Sequence, residues 1–275
     1  MRILSLILAT FRELFSKATL YILIGISVII LLGLAAGISA ERNGDEVSLS
    51  LFGNPTKMPV PADQFELLVR EMQAGFARGL FIGIMLFGVF ATASIIPDSL
   101  EKGTVDLYLS KPIARWELLL GKHLGAEAVI LSNILFFVGG LWLVFGVKTG
   151  VWNYQLLLGA LTMSFMFGCI FSIVLLLGVV FRNTAIPIIG SFIYLMFLDN
   201  MLENREEIFV FTQNKVVHGL LDTLYYVFPQ VAAMQRNLDM QITHRAMEWK
   251  PFAQALLSSA GFFGISALLM RRKDF

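Results

Sequence analysis

The residues with the most chemical capacity in this sequence lie between Asp98 and Gly125. Lys102, Lys111, Arg115 and Lys122 alternate there with Asp98, Glu101, Asp106 and Glu117 on a turn-rich stretch. Most other arrangements that would signal bond-making chemistry are missing. Gly121-Lys122 is followed by His123, and position 116, where a phosphate loop needs its first glycine, is Trp. No G-x-x-x-x-G-K-[ST] run exists, so ATP is not bound by that device. The sequence has no G-x-S-x-G, and its histidines (His123, His218 and His244) fall in loops or at interfaces without H-x-x-x-H spacing. Neither a nucleophilic serine nor a metal site is expected. Cys169 is the sole cysteine, which excludes an intrachain disulfide. His123 and Glu127 stand four apart and are expected to pair near a membrane interface. A carboxylate there escapes the roughly 2.5–3.5 kcal/mol that mid-bilayer placement costs.

The elements that would carry these residues are apolar. Hydrophobic residues make up 57% of the 275 and charged residues 15%, and the mean hydropathy is +0.75. A soluble domain is about a quarter charged, so the composition predicts an all-α integral membrane protein. Six runs are long enough to cross about 30 Å of hydrocarbon: about 19–38, 76–96, 125–147, 154–181, 184–198 and 252–270. Residues 1–18 repeat apolar positions at helical spacing with polar ones opposite, which predicts an interfacial elbow helix rather than a cleaved signal. Residues 39–75 and 199–251 are expected as outside regions, the first ending in a short helix over 63–74 and the second broken by Asp222 and Pro229 into short helices. Arg78 is expected to snorkel to headgroups. Gly75, Gly79 and Gly83 stack on one face of the second span and predict close helix packing. Trp142, Trp152 and Tyr154 read as interface anchors. Basic residues concentrate in the short segments at one side (Arg2, Arg12 and Lys17; Lys102 to Lys122; Arg182; Arg271 to Lys273). The positive-inside rule places both termini and the 97–124 segment in the cytoplasm.

The ordered run Glu101-Lys102-Gly103-Thr104, Leu107-Tyr108-Leu109, Ser110-Lys111-Pro112, Arg115-x-Glu117 and Gly121-Lys122 resembles the first cytoplasmic loop of type-2 ATP-binding-cassette (ABC) exporter permeases. The resemblance extends over nearly the whole chain through the six-span plan and the outside region before the last span. It implies a coupling helix that docks on a separate cytoplasmic ATPase: Glu101, Lys102, Gly103 and Thr104 would begin that element, and Ser110, Lys111 and Pro112 would end it. Arg115 would lead into the third span. Gly103 allows a sharp turn, and Pro112 disfavours helix at the residue before it. The implied role is a non-enzymatic transport subunit working as a pair with itself or a related permease. ATP and magnesium would sit on the partner ATPase, with membrane lipid around the chain and no nucleic acid. Scattered Met85, Met163, Met166 and Phe167 lean toward a hydrophobic or amphipathic cargo.

Two other readings stay open on the sequence. A scaffold could recruit an ATPase without forming a path. An ion-driven carrier would need ionisable residues deep in its spans, and the sequence offers only Arg78 and Glu127, both expected to be shallow.

Overall fold

The computed structural model describes residues 2–43, 46–55, 60–100, 114–211 and 214–272. Helix α1 (Arg2–Phe15) leads into α2 (Ala18–Gly37). An antiparallel ribbon follows, with β1 (Ile38–Asn43) paired to β2 (Glu46–Leu51) in the register Ile38↔Leu51. Short strands β3 (Asn54–Pro55) and β4 (Val60–Pro61) also pair with β2. The chain continues through α3 (Ala62–Thr92), α4 (Ile95–Ser99), α5 (Arg115–Thr149) and α6 (Tyr154–Phe181). Then come α7 (Ala185–Ile193), a π turn (Tyr194–Leu198) and α8 (Asp199–Glu203). Helices α9 (Arg205–Phe211), α10 (Lys215–Val227), α11 (Val231–Ile242) and α12 (Lys250–Arg272) complete the described chain.

Six helical segments among the described residues are long and apolar enough to cross a membrane: Ala18–Gly37, Gln64–Ser99, Arg115–Thr149, Tyr154–Phe181, Ala185–Glu203 and Lys250–Arg272. In hydrocarbon a helix satisfies its own backbone donors and acceptors, which is why uncharged runs such as α6 take that form. Its start is capped by Asn153, whose side chain accepts from the Gln155 N–H at 3.1 Å. The preceding helix ends at Gly150, with φ +76°, a conformation that glycine adopts without strain.

Three boundaries differ from the sequence expectation. The short helix over 63–74 is the first part of one unbroken α3, and the described residues between α2 and α3 are those of the strands and their turn. The polar helix from Trp116 and the third span are likewise one helix, α5. The fifth span is interrupted by the π turn and runs on to Glu203.

Helix α6 sits at the centre and packs against α3, α5, α7, α11 and α12. The rings of Phe167 and Phe171, both fully buried, stack with centroids 5.7 Å apart. The glycine stripe at 75, 79 and 83 does not make the helix contact expected of it within this chain. Each of the three faces open space. Close backbone approach occurs instead on α5, where Leu6 of α1 lies over Gly121 and Thr10 over Gly125. The reason is positional: α1 folds back along the start of α5, whereas Gly75 and Gly79 are exposed and Gly83 lines a gap between α3 and residues of α2 and α5 such as Ser27 and Phe137.

Candidate functional site

The segment carrying Glu101, Lys102, Gly103, Thr104, Ser110, Lys111 and Pro112 lies outside the described residues, but both of its roots are described. On the incoming side, α4 ends at Ser99. Asp98 on that helix is 2.9 Å from the Lys17 ammonium, which also donates to the Ser94 hydroxyl at 2.5 Å. Lys17 is the N-cap residue of α2, so this root is tied to the beginning of the first span.

On the outgoing side, the Glu117 carboxylate accepts from the Ala114 N–H at 2.9 Å. An acidic residue in the first turn satisfies a donor there and complements the positive end of the helix dipole. Arg115 turns the other way. Its Nη1 donates to the carbonyl of Met270 at 2.7 Å and more weakly to that of Arg271 at 3.4 Å. Carbonyls at a helix C-terminus lack intrahelical donors, so Arg115 closes the end of α12 while starting α5. Two turns further on, Lys122 is 3% exposed and its ammonium meets Glu13 of α1 at 2.6 Å. The two roots of the segment are thereby fastened to α1, α2, α5 and α12.

The interior polar residues depart from expectation. Glu127 is twelve residues beyond Arg115 and fifteen before Trp142, so about 18 Å and 22 Å of helix separate it from those two levels. It therefore lies along α5 between those two levels, nearer that of Arg115. It does not pair with His123. The Ser164 hydroxyl donates to Glu127 Oε1, Oε2 is buried without a partner, and the bare Cα of Gly168 leaves room for the carboxyl. His123 packs instead against the rings of Phe171 and Phe263, with centroids 5.5 and 6.0 Å away. The i, i+4 spacing puts both side chains on one side of α5, but other helices take up each: Ser164 of α6 meets Glu127, and rings of α6 and α12 meet His123.

At the other end of the bundle, Arg78 has a protein partner that the sequence did not mark. It forms an ion pair with Asp239 of α11 at 2.5 Å. Arg245 pairs with Glu71 at 2.5 Å. The buried Asn153 amide donates to Gln73 Oε1 and to the Ile242 carbonyl, both at 2.9 Å. Trp142 and Trp152 meet edge to face at 4.6 Å.

A second node was not visible in the sequence. Asp199, just after the π turn, accepts from the backbone N–H groups of Val231 at 2.9 Å and Ala232 at 2.8 Å, the first residues of α11. The Tyr194 hydroxyl, at the start of the same turn, donates to the Pro229 carbonyl. The broken fifth span thus grips the α10–α11 joint at Pro229 and at the first two residues of α11. Among the described residues no three His, Cys, Asp or Glu side chains converge as a metal site would require.

A family model described as ABC-2 family transporter protein matches residues 17–275. No curated protein matches the chain.

Proposed function

This chain belongs to the ABC-2 family of transporter proteins, and from that premise we propose that it is the membrane-spanning permease subunit of an ATP-driven exporter. A separate ABC ATPase, present as two subunits, binds ATP and magnesium and docks on the 97–124 segment. A second copy of this chain, or a related permease, completes the membrane part. The cargo is hydrophobic or amphipathic. The complex resides in the cytoplasmic membrane with both termini inside, a reading that the distribution of basic residues supports.

The observation that carries this reading is the fastening of both segment roots. Closure of the ATPases displaces the segment as a rigid body. Asp98 transmits that displacement through Lys17 to α2. Ala114 and Glu117 transmit it along α5, and Arg115 transmits it to the end of α12. A push at one surface patch therefore reaches three spans at once. A charged loop hinged at one helix alone would dissipate it.

The test is purification of the tagged chain from native membranes, with and without Glu101→Ala plus Lys111→Ala. These positions avoid Arg115, whose loss would also free α12. An ATPase recovered with the wild type and lost with the double variant, while the variant keeps its thermal stability, is the expected result. Transport that persists with no ATPase in the membrane would overturn it in favour of an ion-driven carrier.

A further inference from the structure

Just beyond the outgoing root, α5 and α12 diverge and leave a cleft of about 640 Å³ between Arg115 and Trp116 on one wall and Gly264, Ala267, Leu268 and Arg271 on the other. Its chemistry is divided along its length. The floor is apolar and belongs to a helix long and apolar enough to span the membrane. Gly264 and Ala267 keep the floor low, and no atom lies within 4 Å of where a Gly264 side chain would begin. The rim is cationic, with one arginine on each wall, and among the described residues no carboxylate lines it. Arg115 is held at that rim by its bonds to the Met270 and Arg271 carbonyls, so its orientation is fixed before any ligand arrives. Arg271 is exposed and forms no ion pair among the described residues. Trp116, 49% exposed, is of the residue type that collects at headgroup level.

We propose that this cleft binds an anionic phospholipid of the adjacent leaflet, with the phosphate between Arg115 and Arg271 and an acyl chain along Gly264, Ala267 and Leu268. Guanidinium groups match phosphate oxygens in planar, two-pronged geometry. Basic clefts between membrane helices are suited to such headgroups. The apolar floor selects a lipid over a soluble anion, and it lies too deep along α12 for a carboxylate on a cytoplasmic partner to need it. The bound lipid bridges α5 and α12 beside the root of the 97–124 segment. The inference stands on the cleft and does not depend on an ATPase.

The test is native mass spectrometry of the full-length chain titrated with phosphatidylglycerol or with phosphatidylcholine. The wild type is expected to retain phosphatidylglycerol in preference. Arg271→Gln should weaken that retention roughly five-fold, the scale of one basic residue near an anionic surface. Arg272→Gln, one residue outside the cleft, should leave it unchanged. Gly264→Phe, whose Cβ would have no atom within 4 Å and whose ring would occupy the floor, should abolish retention of both lipids. Equal retention of the two lipids by the wild type would overturn the proposal. So would equal losses in Arg271→Gln and Arg272→Gln, because surface charge alone would explain them. Unchanged lipid retention in Arg271→Gln with loss of a co-purifying ATPase would assign the rim to that partner and likewise overturn it.

Discussion

Lys122 shows how far a residue's role can lie from the motif that draws attention to it. Gly121-Lys122 stands out in the sequence as part of a charged run. In the fold, Gly121 accepts the Leu6 side chain against its backbone, and Lys122 is buried against Glu13. Both residues seat α1. Removing one partner of a buried pair strands the other charge, so Lys122→Met is expected to cost about 3 kcal/mol of stability. The double variant Lys122→Met/Glu13→Met should recover much of that loss, as read by thermal unfolding in detergent. Gly125→Leu should displace α1, because a side chain there meets Thr10 at 2.5 Å and the Ile7 carbonyl at 3.2 Å. The matched variant Gly75→Leu faces open space and should stay within about 0.5 kcal/mol of wild type. The two glycine pairs have the same four-residue spacing. Spacing identifies a face of small residues, but only the path of another helix decides which face is covered.

At the scale of elements, hydropathy made the six spans legible because lipid leaves the backbone few alternatives to helix. It could not show the π turn in the fifth. Tyr194-Leu-Met-Phe-Leu198 is an apolar run without glycine or proline, and its bulge is held by tertiary bonds from Tyr194 and Asp199 to the α10–α11 joint. The ribbon over β1 and β2 was hidden for a different reason. Its strands are six residues each, and the Gly-Asn-Pro cluster after them reads as plain loop. Glu127 was given the wrong partner because helical spacing marks which side of α5 a residue is on but not which neighbouring side chains meet it. Asp199→Ala removes both acceptors at the start of α11 and should destabilise that helix by about 1–2 kcal/mol. Hydrogen exchange is expected to quicken over Val231–Ile242 while α5 and α6 keep their protection. Uniform quickening throughout the bundle would mean that Asp199 supports the whole fold rather than the joint.

For the molecule as a whole, the proposed orientation has a direct test. With Cys169 replaced by Ala, Arg272→Cys should react with an impermeant maleimide only from the cytoplasmic side, and Asn204→Cys only from the opposite side. Both positions are exposed. Reaction of either from the wrong side would reverse the topology and remove the 97–124 segment from any cytoplasmic partner. The uneven burial of the spans has a further consequence. Within the apolar window of α6, 72% of residues are buried, against 11% for α12. Chains emerge from the ribosome N-terminus first, so the central helix has its earlier neighbours in place before the last helix is made. α12 then arrives as a late addition to a bundle that is already closed, guided by Arg115 at one end and by Gln254 at the other, where its amide donates to the Tyr226 and Phe228 carbonyls. Of the six spans among the described residues, the least buried is thus the last to emerge, and a ribosome stalled shortly before Lys250 should already hold a protease-resistant core.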